Sequence, residues 1–231
     1  MPRSIDKKKR IIFYILLFIL LSTISQKSKI LKKNSLLKIK HITVYGLTHE
    51  KNIEIYNELK IILSKNILLI DKDIFKKVLI KNNLVESFIV KKKYPDSISI
   101  DIKKADLLAV ISLNYNLFFI GSNGKLIDYD ENTARKKKLP FVFGKPNNLD
   151  FIKFKKNIDK SIFNYNDVES IYYFINKRWD IKTKQGVLIR LPKINIIKKL
   201  NLANKIMNSK KFTKNKTIDL RIIKRIIVSD E

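Results

Sequence analysis

The chain has 231 residues, with 49 Lys or Arg against 21 Asp or Glu, a formal net charge of +28, 45% hydrophobic residues and no cysteine. That apolar content is enough to bury a core and disfavours a disordered chain. The absence of Cys excludes disulfide frameworks, thiol nucleophiles, thiolate zinc sites and iron–sulfur clusters; with His41 and His49 the only histidines, multi-histidine metal sites and Ser-His-Asp chemistry are disfavoured too.

The excess charge is mostly lysine: 42 Lys and 7 Arg, spread from Lys7 to Lys224 without one dominant cluster. A balance this basic can attract nucleic acid, anionic lipid or an acidic partner. Specific readers of phosphates and bases lean on the planar Arg fork, however. Solvated lysine faces are therefore preferred over a nucleic-acid interface.

Lys7-Lys8-Lys9-Arg10 precedes an uncharged run of 16 residues, Ile11–Gln26, in which all of Ile11–Leu21 except Tyr14 are Ile, Leu or Phe. As a helix the run spans ~24 Å, short of a ~30 Å hydrocarbon core unless Lys27 and Lys29 snorkel outward. A signal anchor is favoured over a cleaved signal peptide, for which Thr23-Ile24-Ser25 offers a tolerable site, and over a buried core helix. Basic residues on both sides leave its orientation open by charge alone. The expected layout is a tail at 1–10, a transmembrane helix at 11–26 and a working part beyond.

After a polar linker, Ile42 and Val44 alternate into a strand that ends at Gly46. Glu50–Leu63 carries Ile55, Leu59, Ile62 and Leu63 on one helical face, broken by Ser64-Lys65-Asn66. Asp71 is placed to cap a second helix through Ile74, Val78 and Leu79. Phe88 and Val90 form a strand up to the turn Tyr94-Pro95-Asp96-Ser97, and Ile98, Ile100 and Ile102 form its return. The order is β-α-α-β-β over 37–104, a compact α+β unit.

From 105 to 231 the pattern predicts a mixed β domain with flanking helices. Strands are expected at Leu107–Leu113, Leu117–Ile120 and Lys125–Tyr129, the last two joined at Ser122-Asn123-Gly124. A basic loop, Arg135–Lys138, leads to Leu139–Gly144, and helices are expected at Phe151–Ile162 and Asp167–Lys177. Arg178-Trp179-Asp180-Ile181, a turn at Gly186, Val187–Pro192, a helix over Ile194–Met207 and strands at Ile218–Ile222 and Lys224–Val228 complete the chain.

These segments resemble the FtsQ/DivIB cell-division family. In the first unit the likeness lies in Ile42–Gly46, Leu84–Val90 and Lys93–Ile98, in the order of a POTRA domain. In the second it lies in Leu139-Pro140…Gly144, Arg178-Trp179-Asp180-Ile181, Arg190-Leu191-Pro192 and Ile218-Asp219-Leu220-Arg221. The resemblance implies one inner-membrane helix, a cytoplasmic N-terminus, a periplasmic bulk at the division septum and a scaffold role. It also implies small bitopic coiled-coil partners of the FtsB and FtsL type and other divisome membrane proteins, bound through the terminal strand region. That puts Ile222, Lys224, Arg225, Ile226, Ile227 and Val228 at the contact. By sequence alone this strand reads equally as a protected sheet edge or as one open to β-augmentation.

No catalytic residue, metal ligand or cofactor site is assigned, and no small-molecule substrate or nucleic acid is expected. Asp71/Asp73 and Asp128/Asp130 read as caps or solvated ends, Trp179 as core before interface anchor, and the glycines form no phosphate cradle. Two further readings stand beside the scaffold. One is a POTRA protein of secretion or outer-membrane assembly, weakened because no barrel follows Glu231. The other is a membrane-tethered, lysine-rich binder of anionic polymer or lipid.

Overall fold

The computed structural model describes residues 7–25, 37–209, 216–222 and 225–230. Helix α1 (Lys7–Ser25) comes first. The contacts divide the chain into two units, the first comprising 1–82 and 87–103 and the second 83–86 and 104–231. The chain thus crosses between them within strand β2 (Val85–Lys93).

Helix α1 has 19 residues, the first four being Lys7, Lys8, Lys9 and Arg10. Among the described residues no helix is long and apolar enough to cross a membrane; the basic first turn leaves fewer than the ~20 apolar residues a span requires. Ile11–Leu20 are nonetheless exposed on every side of the helix.

In the first unit, strand β1 (His41–Tyr45) is followed by α2 (His49–Leu59), continued by a 3-10 turn over Lys60–Ile62. Ile55, Leu59 and Ile62 are buried, and Ser64 at φ 65 stops the helix. Helix α3 (Lys72–Lys81) starts where the Asp71 side chain accepts the Asp73 N–H at 3.1 Å, as its cap position predicts. Strands β2 and β3 (Ser97–Lys104) form a hairpin, and β1 pairs parallel with β3, giving the order β1-β3-β2. Phe75 and Leu79 of α3 join Ile98, Ile100 and Ile102 of β3 among the buried residues. This is the β-α-α-β-β order expected of a POTRA domain.

The second unit is built on one nine-stranded sheet, in the order β12-β11-β10-β9-β8-β7-β4-β5-β6. Its strands are β4 (Leu107–Leu113), β5 (Asn116–Gly121), β6 (Leu126–Asp128), β7 (Phe141–Phe143), β8 (Val168–Tyr173), β9 (Trp179–Thr183), β10 (Leu188–Arg190), β11 (Lys216–Asp219) and β12 (Ile227–Asp230). Helices α5 (Asn148–Asp159) and α6 (Ile196–Met207) cover one face: Phe151, Phe154, Ile158, Leu200 and Ala203 share a core cluster with Ile171, Ile181, Ile189 and Ile218. At the β4-β5-β6 end the other face is covered too, by a cluster of Val110, Phe119 and Ile127 with Ala134 and Leu139 packed on it.

Two elements differ from the sequence reading. The helix expected at Asp167–Lys177 is strand β8, preceded by a 3-10 turn at Tyr165–Asp167. Apolar residues at Val168, Ile171 and Ile175 fit a helical period, but Val168–Tyr173 pairs parallel with β7 and antiparallel with β9, and that pairing prevails. The basic loop Arg135–Lys138 is instead mostly helix α4 (Glu131–Lys137). Its cap is Asp130, which accepts the Thr133 N–H at 2.8 Å, and its cations gather in the last turn, where the helix dipole favours them.

Candidate functional site

Register brings distant sequence segments into two rows across six strands. On the helix-covered face, Val142, Ile171, Ile181, Ile189, Ile218 and Val228 stand opposite one another from β7 to β12. On the other face the row is Phe143, Tyr172, Asp180, Arg190, Asp219 and Ile227. Facing residues in a ladder project to the same side, so the first row is core as far as Ile218 and the second lies on the face that α5 and α6 do not cover.

That open surface is aromatic at one end and charged in the middle. Phe143 stacks on Tyr172 at 5.0 Å, and the Arg178 guanidinium lies 4.3 Å from the Phe174 ring centre. Arg178, Lys182, Arg190 and Arg221 line a shallow cleft of about 450 Å³ together with Asp180 and Tyr172. Three of the seven arginines in the chain therefore converge on one sheet face.

The two aspartates are held differently. Asp180 is buried, and its Oδ1 accepts from Arg178 Nε at 3.2 Å and from the Leu191 N–H at 3.3 Å. Burial pushes its carboxyl up, against the opposing pull of Arg178. Asp219 accepts from Arg221 through Nε at 2.9 Å, through Nη2, and through the backbone N–H at 3.0 Å. The Arg221 guanidinium holds it below the usual carboxylate range.

A carboxylate depressed by folding adds stability above its unfolded value, ~3.9, and loses it as pH falls through the folded one. Asp219→Asn is expected to cost about 1–2 kcal/mol in urea unfolding at pH 7. The gap from the parent chain should close in acid, below pH ~4. A gap that stays constant with pH would assign Asp219 a purely steric part.

Strand β12 lies at the end of this row. It pairs antiparallel with β11 through Asp219↔Ile227 and Ile218↔Val228, and among the described residues no strand lies on its outer side. Ile226, Ile227 and Val228 are 48%, 47% and 43% exposed. Val228 continues the core row, yet the helical cover stops short of it.

Of the residues expected at a partner contact, Ile227 and Val228 are in the strand, while Arg225 and Ile226 precede it and are exposed. Ile222 is exposed after β11, and Lys224 lies outside the described residues. The earlier strand ends sooner than expected, at Asp219, because the Arg221 N–H turns back onto the Asp219 carboxylate. The Asp71/Asp73 and Asp128/Asp130 pairs supply caps at Asp71 and Asp130. Trp179 is 5% exposed and packs in the core. Arg178, Asp180, Arg190, Asp219 and Arg221 belong to motifs far apart in the sequence, and only the strand register brings them to one place.

The profile of the POTRA domain, FtsQ-type, matches residues 37–104, and that of the cell division protein FtsQ/DivIB C-terminal region matches residues 109–221, stopping before β12. Cell division protein FtsQ of Rickettsia bellii is 25% identical over 193 residues, 80% of this chain and 69% of the relative. Cell division protein FtsQ of Zymomonas mobilis is 23% identical over 157 residues, 68% of this chain and about half (49%) of the relative. A solved structure, the major extracytoplasmic domain of the trans isomer of the cell-division protein DivIB from Geobacillus stearothermophilus, overlaps 47% of this chain and 99% of that chain. Its TM-score is 0.33 and its identity 13%, too distant to support more. With two successive family profiles on its two folded units, the chain belongs to the FtsQ/DivIB family of cell-division proteins.

Proposed function

We propose that the protein is a division scaffold of the inner membrane that binds small bitopic coiled-coil proteins of the FtsB and FtsL type by β-augmentation on β12. The observation that carries this reading is the place of β12 at the end of the sheet, where no described strand lies beyond it, together with exposed Ile226, Ile227 and Val228. An extended partner segment laid along it would pair with the backbone groups on its outer side and cover those side chains. The cations of the neighbouring face favour a partner with acidic flanks. The protein acts by binding, with no bond made or broken.

The stretch 11–26 would hold it in the membrane as a single span, with the N-terminus cytoplasmic and both folded units periplasmic. In support, Ile11–Leu20 are between 43% and 72% exposed all around α1. A helix that is apolar on every side is stable only when something covers it, and a bilayer can do so. Confinement to the septal membrane would then raise the effective concentration of partners.

Pro at Ile226 and Val228 tests the edge. N–H groups two residues apart point the same way along a strand, and Pro removes both. The double variant of the full chain, in detergent, is expected to lose at least about tenfold in affinity for an FtsB-type periplasmic segment, while its thermal melt stays near the parent's. Unchanged affinity would overturn the edge reading.

A further inference from the structure

The solvent side of α3 carries Lys72, Lys76, Lys77 and Lys81, all exposed, whereas Phe75 and Leu79 on its inner side are buried. Lys72/Lys76 and Lys77/Lys81 are like-charged pairs four residues apart, a spacing that destabilises a helix in water. Among the described residues none of the four lysines makes an ion pair. The acids of this helix and its cap are at the amino end: Asp71 is engaged as the cap, and Asp73 lies in the first turn.

An apolar loop borders this helix. Leu68 and Leu69 are 44% and 52% exposed, and Ile80 in the last turn is 49% exposed. Leu69 and Ile70 share a cleft of about 380 Å³ with Ile74 of α3, so the loop abuts the helix. Lysines that gain from an anionic layer, beside aliphatic side chains that gain from leaving water, match the interfacial zone of a charged bilayer. A leaflet of anionic lipid offers both at once, phosphate charge for the lysines and an apolar layer for the leucines. Chain length brings such a surface within reach, since residues 26 to 37 span at most ~40 Å when extended.

We propose that α3 and the Leu68–Leu69 loop form a docking surface for anionic phospholipid, laying the first unit onto the leaflet from which the chain emerges. The inference rests on the reading of 11–26 as a membrane anchor. Docking would restrict which sides of the first unit other proteins can approach.

The chain has no cysteine, so one label can be placed without background. Full-length protein carrying Ile80→Cys, fluorescently labelled, is reconstituted into nanodiscs of phosphatidylcholine, alone or with about 30% phosphatidylglycerol, and a headgroup quencher is added. Ile175→Cys, at a residue that is 103% exposed in the second unit, serves as the reference position. Quenching at position 80 is expected to rise at least about threefold in anionic discs and to vanish in about 0.5 M salt, where screening is strong. It should also vanish in K72Q/K76Q/K77Q/K81Q. Equal quenching in both discs, equal quenching at both positions, or quenching that survives the four Gln substitutions overturns the proposal.

The anchor is scored separately, by resistance of the vesicle-bound chain to alkaline carbonate. If carbonate extracts it, the anchor fails, and α3 is judged by co-flotation with anionic vesicles. There the four-Gln variant is expected to bind about tenfold less than the parent, and equal flotation refutes the docking surface.

Discussion

Gly46→Ala is expected to unfold the first unit. Gly46 ends β1 at φ +110, a conformation that L side chains rarely adopt, and a Cβ built there would lie 1.7 Å from the Ile102 carbonyl oxygen. The obstacle is backbone of β3, the central strand of that sheet, so no side-chain rotation relieves it. Relief requires β1 and β3 to separate, which breaks the parallel pairing from His41↔Ser97 to Tyr45↔Asp101. A cost above about 4 kcal/mol follows, most of the stability of a domain this size. Hydrogen exchange is the direct measurement: amides of β1, β3 and α2 should lose protection, while those of β4 and β5, which build a different core, keep theirs. Retained protection in β1 would mean that the strand ends differently from the arrangement described.

Trp179→Ala carries the second large effect, in the other unit. Trp179 is 5% exposed, stacks on Phe154 at 4.6 Å and 8°, and lies 4.6 Å from Tyr173 and 6.3 Å from Phe151. Truncation leaves a cavity between β9 and α5, and the expected loss is about 3–5 kcal/mol in chemical unfolding. Trp179→Phe keeps most of the apolar contact and should lose far less. The consequence reaches the open face, because Trp179 is flanked by Arg178 and Asp180. Loosening it disturbs the Arg178–Asp180 contact and the row toward β12, so affinity for a terminal-strand partner should fall with stability. A stability loss below about 1 kcal/mol would show that the ring is dispensable to the core.

Much of the first unit could be read from local signals. The alternation at Ile42 and Val44, the face Ile55–Leu59–Ile62, the Asp71 cap and the turn at Pro95 each lie within a few residues, and the structure has them where the pattern puts them. Trp179 was correctly read as core. The helix expected at Asp167–Lys177 failed because a short apolar stretch fits both periods, and pairing with β7 and β9 decided between them. For α4, the four successive cations Arg135–Lys138 hid a short helix whose start depends on a single capping aspartate.

Local chemistry along the chain sets which stretches are apolar, which residues begin and end most elements, the β-α-α-β-β order, and, through the motifs, the family. Capping, turn chemistry and hydrophobic period act over a handful of neighbouring residues, so composition and spacing suffice for them. Only the tertiary structure decided that β1 runs parallel to β3, that Asp180, Arg190 and Asp219 stand side by side, and that the helical cover ends before β12. These facts depend on which strand pairs with which, and in what register. A shift of one residue would send every side chain of a row to the opposite face. That choice is made by burying the whole Val142-to-Ile218 row at once, a long-range requirement that no single segment carries.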